Sequence, residues 1–137
     1  MVAGKLIHSL GKVMQKSILI TGCSSGIGLV AAQDLKNRGY RILAACRKLQ
    51  DVEKMALFGL EGIELDLDDS TSVERAAAQI IALTNGRLYG LFNNGGFGVY
   101  GSLQSISRQQ LEKQFATNLF WNPSIDTVAI ARHVATR

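Results

Sequence analysis

The sequence predicts an α/β fold, a doubly wound parallel sheet with helices on both faces, and three observations carry that prediction. Four short apolar runs alternate with segments of helical periodicity, and the first run ends in a glycine-rich turn. The 137 residues, 47% of them apolar, suffice for one domain with a substantial core. Strands that alternate with helices are typical of a parallel sheet, because each parallel connection needs a crossover.

The first two strands are predicted on either side of one helix. Ser17–Thr21 is a short apolar run of the kind that forms a buried parallel strand, and Tyr40–Cys46 is the second strand. Helical spacing of apolar residues predicts a helix over Ile27–Arg38 that stops at Gly39. Its expected core face comprises Ile27, Ala31 and Leu35. A shorter helix is predicted over Leu49–Leu57.

Two further strands and two further helices follow. Ile63–Leu67 and Leu88–Asn93 are the third and fourth strands. Thr71 and Glu74 have the spacing of a capping box, which predicts the start of a helix. The residues expected to be buried by that helix are Val73, Ala77, Ile80 and Ile81. Ser107 is the predicted cap of the last of these helices, whose apolar stripe comprises Leu111, Phe115 and Leu119.

The two ends of the chain differ from this alternating body. Residues 17–120 hold ten basic and ten acidic residues, so the formal charge of +4 comes from the ends. We therefore expect no nucleic-acid partner, which would require a basic stripe on the folded body. Residues 1–16 have helical apolar spacing with lysines, which fits an amphipathic helix at a membrane surface. We prefer two alternatives, a poorly ordered extension or a true start at Met14. Ser124–Arg137 could form a last short helix.

The two cysteines are typical of a reducing compartment. They are too few for a disulfide scaffold, they form no Cys-x-x-Cys pair, and neither His8 nor His133 is placed to complete a metal site. The N-terminal residues lack a secretory apolar segment, and no run approaches the ~20 apolar residues of a membrane helix. We therefore expect a cytoplasmic protein without a metal or a membrane association.

The glycines between the first strand and the first helix are the sharpest functional signal. In Thr21-Gly22-Cys23-Ser24-Ser25-Gly26-Ile27-Gly28, Gly22 allows a tight turn, Gly26 a close approach to a pyrophosphate, and Gly28 close helix–strand packing. A phosphate at this turn would meet free N–H groups and the positive end of the helix dipole. The position between strand and helix favours a dinucleotide site over a structural turn that binds nothing.

The spacing Gly-x3-Gly-x-Gly after a threonine resembles the short-chain dehydrogenase/reductase family. Further motifs match that family in order, with Asp66 ending the third strand and Asn118-Leu119 in the last helix. Between them, Asn93-Asn94-Gly95-Gly96 is similar to the Asn-Asn-Ala-Gly of the family, with glycine replacing alanine. The glycine turn and the run Gly98-Val99-Tyr100-Gly101 are most similar to the steroid- and retinol-dehydrogenase-like branch. The resemblance covers about residues 14–120.

The resemblance implies a Rossmann-type sheet, a dinucleotide cofactor, and hydride transfer to or from a small carbonyl or alcohol substrate. It matches Asn118 to the asparagine of the family's catalytic tetrad and Asp66 to the acidic residue beside the adenine ring. Intact relatives can also form homo-oligomers. The residues that we expect to bind the cofactor are Thr21, Gly22, Ser24, Ser25, Gly26, Ile27, Gly28, Arg47, Lys48, Asp66, Leu67, Asn93, Asn94 and Gly95.

The end of the second strand favours NADP over NAD. NAD enzymes usually place an acidic side chain there for the ribose 2′-hydroxyl, whereas this chain reads Ala45-Cys46-Arg47-Lys48. A 2′-phosphate carries about −1.5 to −2 charges, and arginine can grip it with paired N–H donors. The basic pair therefore predicts NADP, and the alternative is two solvated surface charges.

The serine and the Tyr-x3-Lys pair that the family uses for catalysis have no match in the sequence. Tyr40, Tyr89 and Tyr100 are all followed four residues later by residues other than lysine. After Phe120 the sequence turns to Trp121-Asn122-Pro123-Ser124 and a basic tail, where the family continues with glycine and an apolar helix. We expect a sheet truncated after its fourth strand and the following helix, as from a frameshift or a disrupted gene; the alternative is a working replacement of the missing part.

The expected domain organisation is an N-terminal extension over 1–16, a partial dinucleotide-binding domain over 17–120 and a divergent tail over 121–137. Without a fifth strand, Leu88, Leu91 and Phe92 would lie on an apolar sheet edge. Three functions fit this organisation: an NADP-dependent oxidoreductase represented by its cofactor-binding half, an NADP-binding module without catalysis, and a nonfunctional remnant. Bound NADPH without turnover would favour the second function, and insolubility without a cooperative melting transition would favour the third.

Overall fold

The computed structural model describes residues 15–102 and 104–119, which form a four-stranded parallel sheet flanked by helices. The strands are β1 (Ser17–Thr21), β2 (Arg41–Cys46), β3 (Glu61–Glu64) and β4 (Leu88–Phe92). The helices are α1 (Gly26–Asn37), α2 (Leu49–Met55), α3 (Ser70–Thr84) and α4 (Arg108–Asn118), with a 3-10 helix (Ala56–Phe58) after α2. The predicted doubly wound α/β sheet is confirmed. The amphipathic segment and the last short helix fall on residues 1–14 and 120–137, outside the described residues.

The strand order β3-β2-β1-β4 determines which loops meet at the carboxyl edge of the sheet. The chain moves from β1 to β2 and β3 in one direction, and then crosses back to place β4 on the other side of β1. The turn after β1 and the loop after β4 therefore leave neighbouring strands at the point where the direction reverses. Ligands of open α/β sheets bind in this crevice.

Alternate residues of the strands build one core layer on each face of the sheet. Leu19 and Leu43 belong to the layer that α3 covers with Val73 and Ile80. Ile20 of the same β1 strand points to the opposite layer, which includes Ala32 of α1 and Met55 of α2. All five residues of β1 are buried, as expected for the strand at the centre of a parallel sheet.

The predicted core face of α1 is wrong at Ile27, whereas Leu35 is half-buried and packs against the core as predicted. Ile27 is 73% exposed, and the buried residues of the helix are Gly28 and Ala32. The first turn of the helix lies against the carbonyl group of Gly22, where only a residue without a side chain fits. Close packing at Gly28 therefore turns Ile27 away from the sheet.

The start of α3 also differs from the prediction. Asp69 is the cap, because its carboxylate accepts a hydrogen bond from the Thr71 backbone N–H at 2.9 Å, and Thr71 itself already lies within the helix. Val73, Ala77 and Ile80 are buried as expected, whereas Ile81 is exposed. The third strand ends at Glu64, so Asp66 follows the strand instead of ending it. The remaining strand and helix ends agree with the prediction to within a few residues.

The last strand and the last helix bury fewer of their apolar residues than the others. Ser107 caps α4 as predicted, in a capping box with Gln110. The stripe of Leu111, Phe115 and Leu119 is exposed. Within residues 15–102 and 104–119, no strand pairs with the free edge of β4. The expected apolar edge is present in part, since Phe92 is exposed and Leu91 half-buried, but Leu88 is buried in the α3 layer.

Candidate functional site

Two hydrogen-bonding groups of Thr21 join the end of β1 to the loop after β4. The Thr21 side-chain oxygen accepts hydrogen bonds from the backbone N–H groups of Asn94 at 3.0 Å and Gly95 at 2.8 Å. The Asn94 amide nitrogen donates to the Thr21 carbonyl oxygen at 3.1 Å and contacts the Gly22 carbonyl oxygen at 3.3 Å. Because Thr21 is buried, these bonds are shielded from water and hold the two loops at one separation.

The glycines of the turn are required where backbone segments approach each other. Gly22 has φ +71°, and a Cβ atom there would lie 2.8 Å from the Cα atom of Gly95. A Cβ atom on Gly28 would overlap the Gly22 carbonyl oxygen and the Asn94 side-chain nitrogen. Gly28 thus packs the first turn of α1 onto the glycine turn and the β4 loop, a more specific role than the predicted helix–strand packing.

The N-terminus of α1 suits an anionic group. Ser25, the N-cap residue, makes no side-chain hydrogen bond to the helix, and the first turn contains no acidic residue. Gly26 has φ +60°, and a Cβ atom there would have no heavy atom within 4 Å. The backbone N–H groups of the first turn and the helix dipole are therefore available beside open space. These features fit the diphosphate of a dinucleotide.

A cleft of about 180 Å³ opens at the carboxyl edge of the sheet. Seven of the predicted cofactor residues line it, namely Thr21, Gly22, Ser24, Arg47, Asp66, Leu67 and Gly95. The cleft brings one guanidinium, from Arg47, together with the carboxylates of Asp66 and Asp68. It can therefore contact a ligand that carries both a phosphate and hydrogen-bond donors.

The other predicted cofactor residues do not line this cleft. Asn94 donates a hydrogen bond to the Thr21 carbonyl oxygen, and Gly28 packs against the Gly22 carbonyl group. Lys48 is exposed and begins α2 as its N-cap. The further residues outside the lining are Ser25, Gly26, Ile27 and Asn93.

Five residues that line the same cleft were not among the predicted cofactor residues, namely Leu65, Asp68, Gly96, Phe97 and Thr117. Of these, Gly96 alone belonged to a recognised motif. Two of the five, Gly96 and Phe97, contact the side chain of Asn118, the predicted catalytic residue. Its amide accepts a hydrogen bond from the Phe97 backbone N–H at 3.0 Å and donates one to the Phe97 carbonyl oxygen at 2.7 Å. The Asn118 oxygen also lies where a Cβ atom on Gly96 would be only 2.9 Å away. The Asn118 side chain thus holds the loop that forms one wall of the cleft.

Both cysteines are buried free thiols, Cys23 within the glycine turn and Cys46 at the end of β2. Burial, and secondarily the neighbouring Cys46, raises the pKa of Cys23 to about 12. Burial, and secondarily Asp51, raises the pKa of Cys46 to about 11. Both groups therefore remain protonated at neutral pH and are poor nucleophiles, because the thiolate is the nucleophilic form.

The described ranges, 15–102 and 104–119, lack both a cluster of metal ligands and a membrane-spanning helix. They contain no group of three or more histidine, cysteine, aspartate or glutamate residues that could hold a metal ion. None of the helices in these ranges has the length and apolar character needed to span a membrane.

The family model for short chain dehydrogenases matches residues 16–128, which extends eight residues past Phe120, where the resemblance was expected to end. The chain is 60% identical over 110 residues to the oxidoreductase YbbO of Escherichia coli K12. That alignment covers 80% of this chain and 41% of YbbO. The NADPH-dependent 1-acyldihydroxyacetone phosphate reductase of Schizosaccharomyces pombe is 36% identical over 107 residues, covering 77% of this chain and 36% of the reductase.

A solved structure shows the same fold. The alcohol dehydrogenase of Thermococcus sibiricus, complexed with 5-hydroxy-NADP, superposes with a TM-score of 0.77 at 24% identity, over 89% of this chain and 55% of that one. The chain spans less than half the length of the two curated relatives above. With the matching family model, the parallel sheet and the glycine turn all in agreement, the chain belongs to the short-chain dehydrogenase family of oxidoreductases.

Proposed function

We propose that this chain is the cofactor-binding part of an NADP-dependent oxidoreductase that transfers hydride between NADP(H) and a carbonyl or alcohol substrate. The observation that carries the proposal is Arg47, which lines the cleft directly after β2. No acidic residue accompanies it at the end of that strand. A guanidinium there would favour the 2′-phosphate that distinguishes NADP from NAD.

The names of two relatives support the same cofactor. The Schizosaccharomyces pombe reductase is NADPH-dependent, and the Thermococcus sibiricus enzyme was solved with an NADP derivative. NADP(H), when bound, would supply or accept the hydride. The residues of this chain would bind and orient it: the α1 N-terminus at the diphosphate, Arg47 with Ser24 at the 2′-phosphate, and Asp66 with Leu67 at the adenine ring.

The Asn118 side chain holds the loop after β4 at this proposed site. Both polar atoms of its side chain contact the backbone of Phe97. We propose that Asn118 supports the proton relay of the intact enzyme by fixing this loop beside the reacting groups. The proposed cofactor-binding unit comprises residues 17–120, with residues 1–16 as an extension and residues 121–137 as a divergent tail. The buried thiols support a reducing compartment, the cytoplasm.

Arg47→Ala tests the cofactor preference. We expect the dissociation constant for NADPH to rise about tenfold, because a charge-assisted contact with the 2′-phosphate is lost. The dissociation constant for NADH should change less than about twofold, since NADH lacks that phosphate. Isothermal titration with both nucleotides measures the two constants.

Arg38→Ala is the matched control, because Arg38 is exposed and pairs with Asp34 at 2.8 Å within α1. It removes the same charge from the protein without touching the cleft, so both constants should stay at the wild-type values. An equal weakening of NADPH and NADH by Arg47→Ala, or an equal effect of the two alanine variants, would contradict the proposed role of Arg47.

The second candidate function is NADPH binding without turnover. It is favoured by the three tyrosines of the sequence, none of which is followed by lysine four residues later. The decrease of NADPH absorbance in the presence of a panel of aldehydes and ketones separates the two functions. Oxidation of NADPH supports the oxidoreductase, whereas binding without oxidation supports the module.

A further inference from the structure

The last helix, α4, makes polar contacts with the loops that surround the cleft. Its apolar stripe is exposed, and Phe115 at the centre of the stripe is 50% exposed. Thr117, at 8%, is the one buried residue of the helix. The Gln114 side-chain oxygen accepts a hydrogen bond from the Val99 backbone N–H at 2.8 Å, and the Asn118 amide both accepts from and donates to the backbone of Phe97. These directional bonds therefore help to set the position of the helix.

Thr117 makes a contact that reaches across the cleft to the loop after β3. Its hydroxyl donates a hydrogen bond to Oδ1 of Asp68, 49 positions earlier in the chain. The hydroxyl also lies 3.1 Å from the Lys113 carbonyl oxygen. The hydroxyl has one proton and both oxygens can only accept it, so the two acceptors compete and the charged carboxylate is favoured. A hydrogen bond to a charged acceptor is stronger than one between neutral groups.

This contact connects the loop after β3 to α4 at the edge of the cleft. Asp68 and Thr117 both line it, and the adjacent Asn118 holds the backbone of Phe97, another lining residue. Asp68 also belongs to the segment that begins with Asp66, whose carboxylate accepts a hydrogen bond from the Asp68 N–H at 3.0 Å. The cleft is thereby bounded by one continuous series of hydrogen bonds from the β3 loop through α4 to the β4 loop.

We propose that Asp68 and Thr117 are positioning residues for the cofactor cleft. Their hydrogen bond sets the distance between α4 and the β3 loop, and through Asn118 it sets the position of the Phe97 wall. Neither residue needs to touch the cofactor for this role. The inference rests on the proposed function for its ligand, but the hydrogen bond and its effect on α4 do not depend on bound NADPH.

The test uses Thr117→Val, which keeps the shape of the side chain and removes the hydroxyl. Hydrogen exchange of the α4 amides, followed without cofactor, should become at least about fivefold faster, because the helix loses its contact with Asp68. The dissociation constant for NADPH should rise about tenfold. Thr117→Ser retains the hydroxyl and should restore both measurements to within about twofold of wild type.

Two controls separate positioning from general destabilisation. Thr84→Val removes an equally buried helical hydroxyl, which donates to the Ile80 carbonyl oxygen at 2.7 Å and lies outside the cleft. It should destabilise the protein without changing NADPH affinity. Asp68→Ala removes the acceptor from an exposed position, where folding tolerates the change, and should reproduce the effects of Thr117→Val.

The double variant Asp68→Ala/Thr117→Val decides whether the two residues act through one bond. The proposal predicts that it resembles either single variant, because each change already breaks the same contact. Effects that multiply, or α4 exchange and NADPH affinity unchanged in Thr117→Val, would overturn the inference. If wild-type protein fails to bind NADPH, the proposed function is wrong, and the exchange of the α4 amides still tests the hydrogen bond.

Discussion

Replacement of Gly28 by alanine is expected to lower the free energy of unfolding by about 3 kcal/mol, through overpacking against backbone that cannot move aside. The added Cβ atom would overlap the Gly22 carbonyl oxygen and the Asn94 amide nitrogen. Alanine in place of glycine inside an ordinary helix stabilises it by roughly 1 kcal/mol, so the sign of the effect is diagnostic. Urea denaturation followed by circular dichroism measures it.

Gly26→Ala is the matched control for that variant. Gly26 lies two residues earlier, with φ +60° and no heavy atom within 4 Å of the position of an added Cβ atom. Only the cost of a left-handed backbone remains, about 1 kcal/mol. A Gly28→Ala protein as stable as wild type, or less affected than Gly26→Ala, would show that the glycine turn and α1 are not packed as described.

Thr21→Val is expected to lower the free energy of unfolding by about 2 kcal/mol, because it removes an acceptor that two backbone N–H groups share. Those groups belong to Asn94 and Gly95, which donate to the Thr21 hydroxyl at 3.0 and 2.8 Å. The Asn94 group keeps a second acceptor, the Phe92 carbonyl oxygen at 3.0 Å, whereas the Gly95 group loses the acceptor described above. Valine has nearly the shape of threonine, and the position is 2% exposed, so lost hydrogen bonding dominates over lost packing. Chemical denaturation again provides the measurement.

Thr21→Ser distinguishes that explanation from a steric one. Serine retains the hydroxyl and removes one methyl group, so a loss of about 1 kcal/mol is expected. Equal losses for the serine and valine variants would mean that the methyl group, and not the acceptor, stabilises the junction of β1 and β4.

The alternation of apolar runs and helical segments was sufficient to predict the sheet. Periodicity was weaker at deciding which face of a helix is buried, as α1 demonstrates. Ile27 is a large apolar residue at helical spacing, yet it is exposed because Gly28 must approach the Gly22 carbonyl. That contact joins backbone atoms of two segments and has no signature in hydrophobicity. The cap of α3 also differs from the prediction, because the Asp69 carboxylate accepts a hydrogen bond from the Thr71 N–H and Thr71 lies within the helix.

Some residues of the candidate site could be predicted from the sequence and others could not. Residues in motifs at strand ends, such as Gly22, Arg47 and Asp66, could be predicted because strand order brings carboxyl ends together. Asp68 and Thr117 could not be predicted, because they lie 49 positions apart, one in a loop and one in a helix. No sequence pattern indicates that these two elements contact each other. The role of the Asn118 side chain in holding Phe97 likewise depends on the path of the β4 loop.

The most direct test of the central claim is a paired titration of the wild-type chain with NADPH and NADH at one salt concentration. If the cleft at the carboxyl edge of the sheet binds NADP(H) through Arg47, NADPH should bind at least about tenfold more tightly than NADH. Equal affinity for the two nucleotides, or tighter binding of NADH, would contradict the cofactor assignment, and no binding of either would contradict the proposed function as a whole.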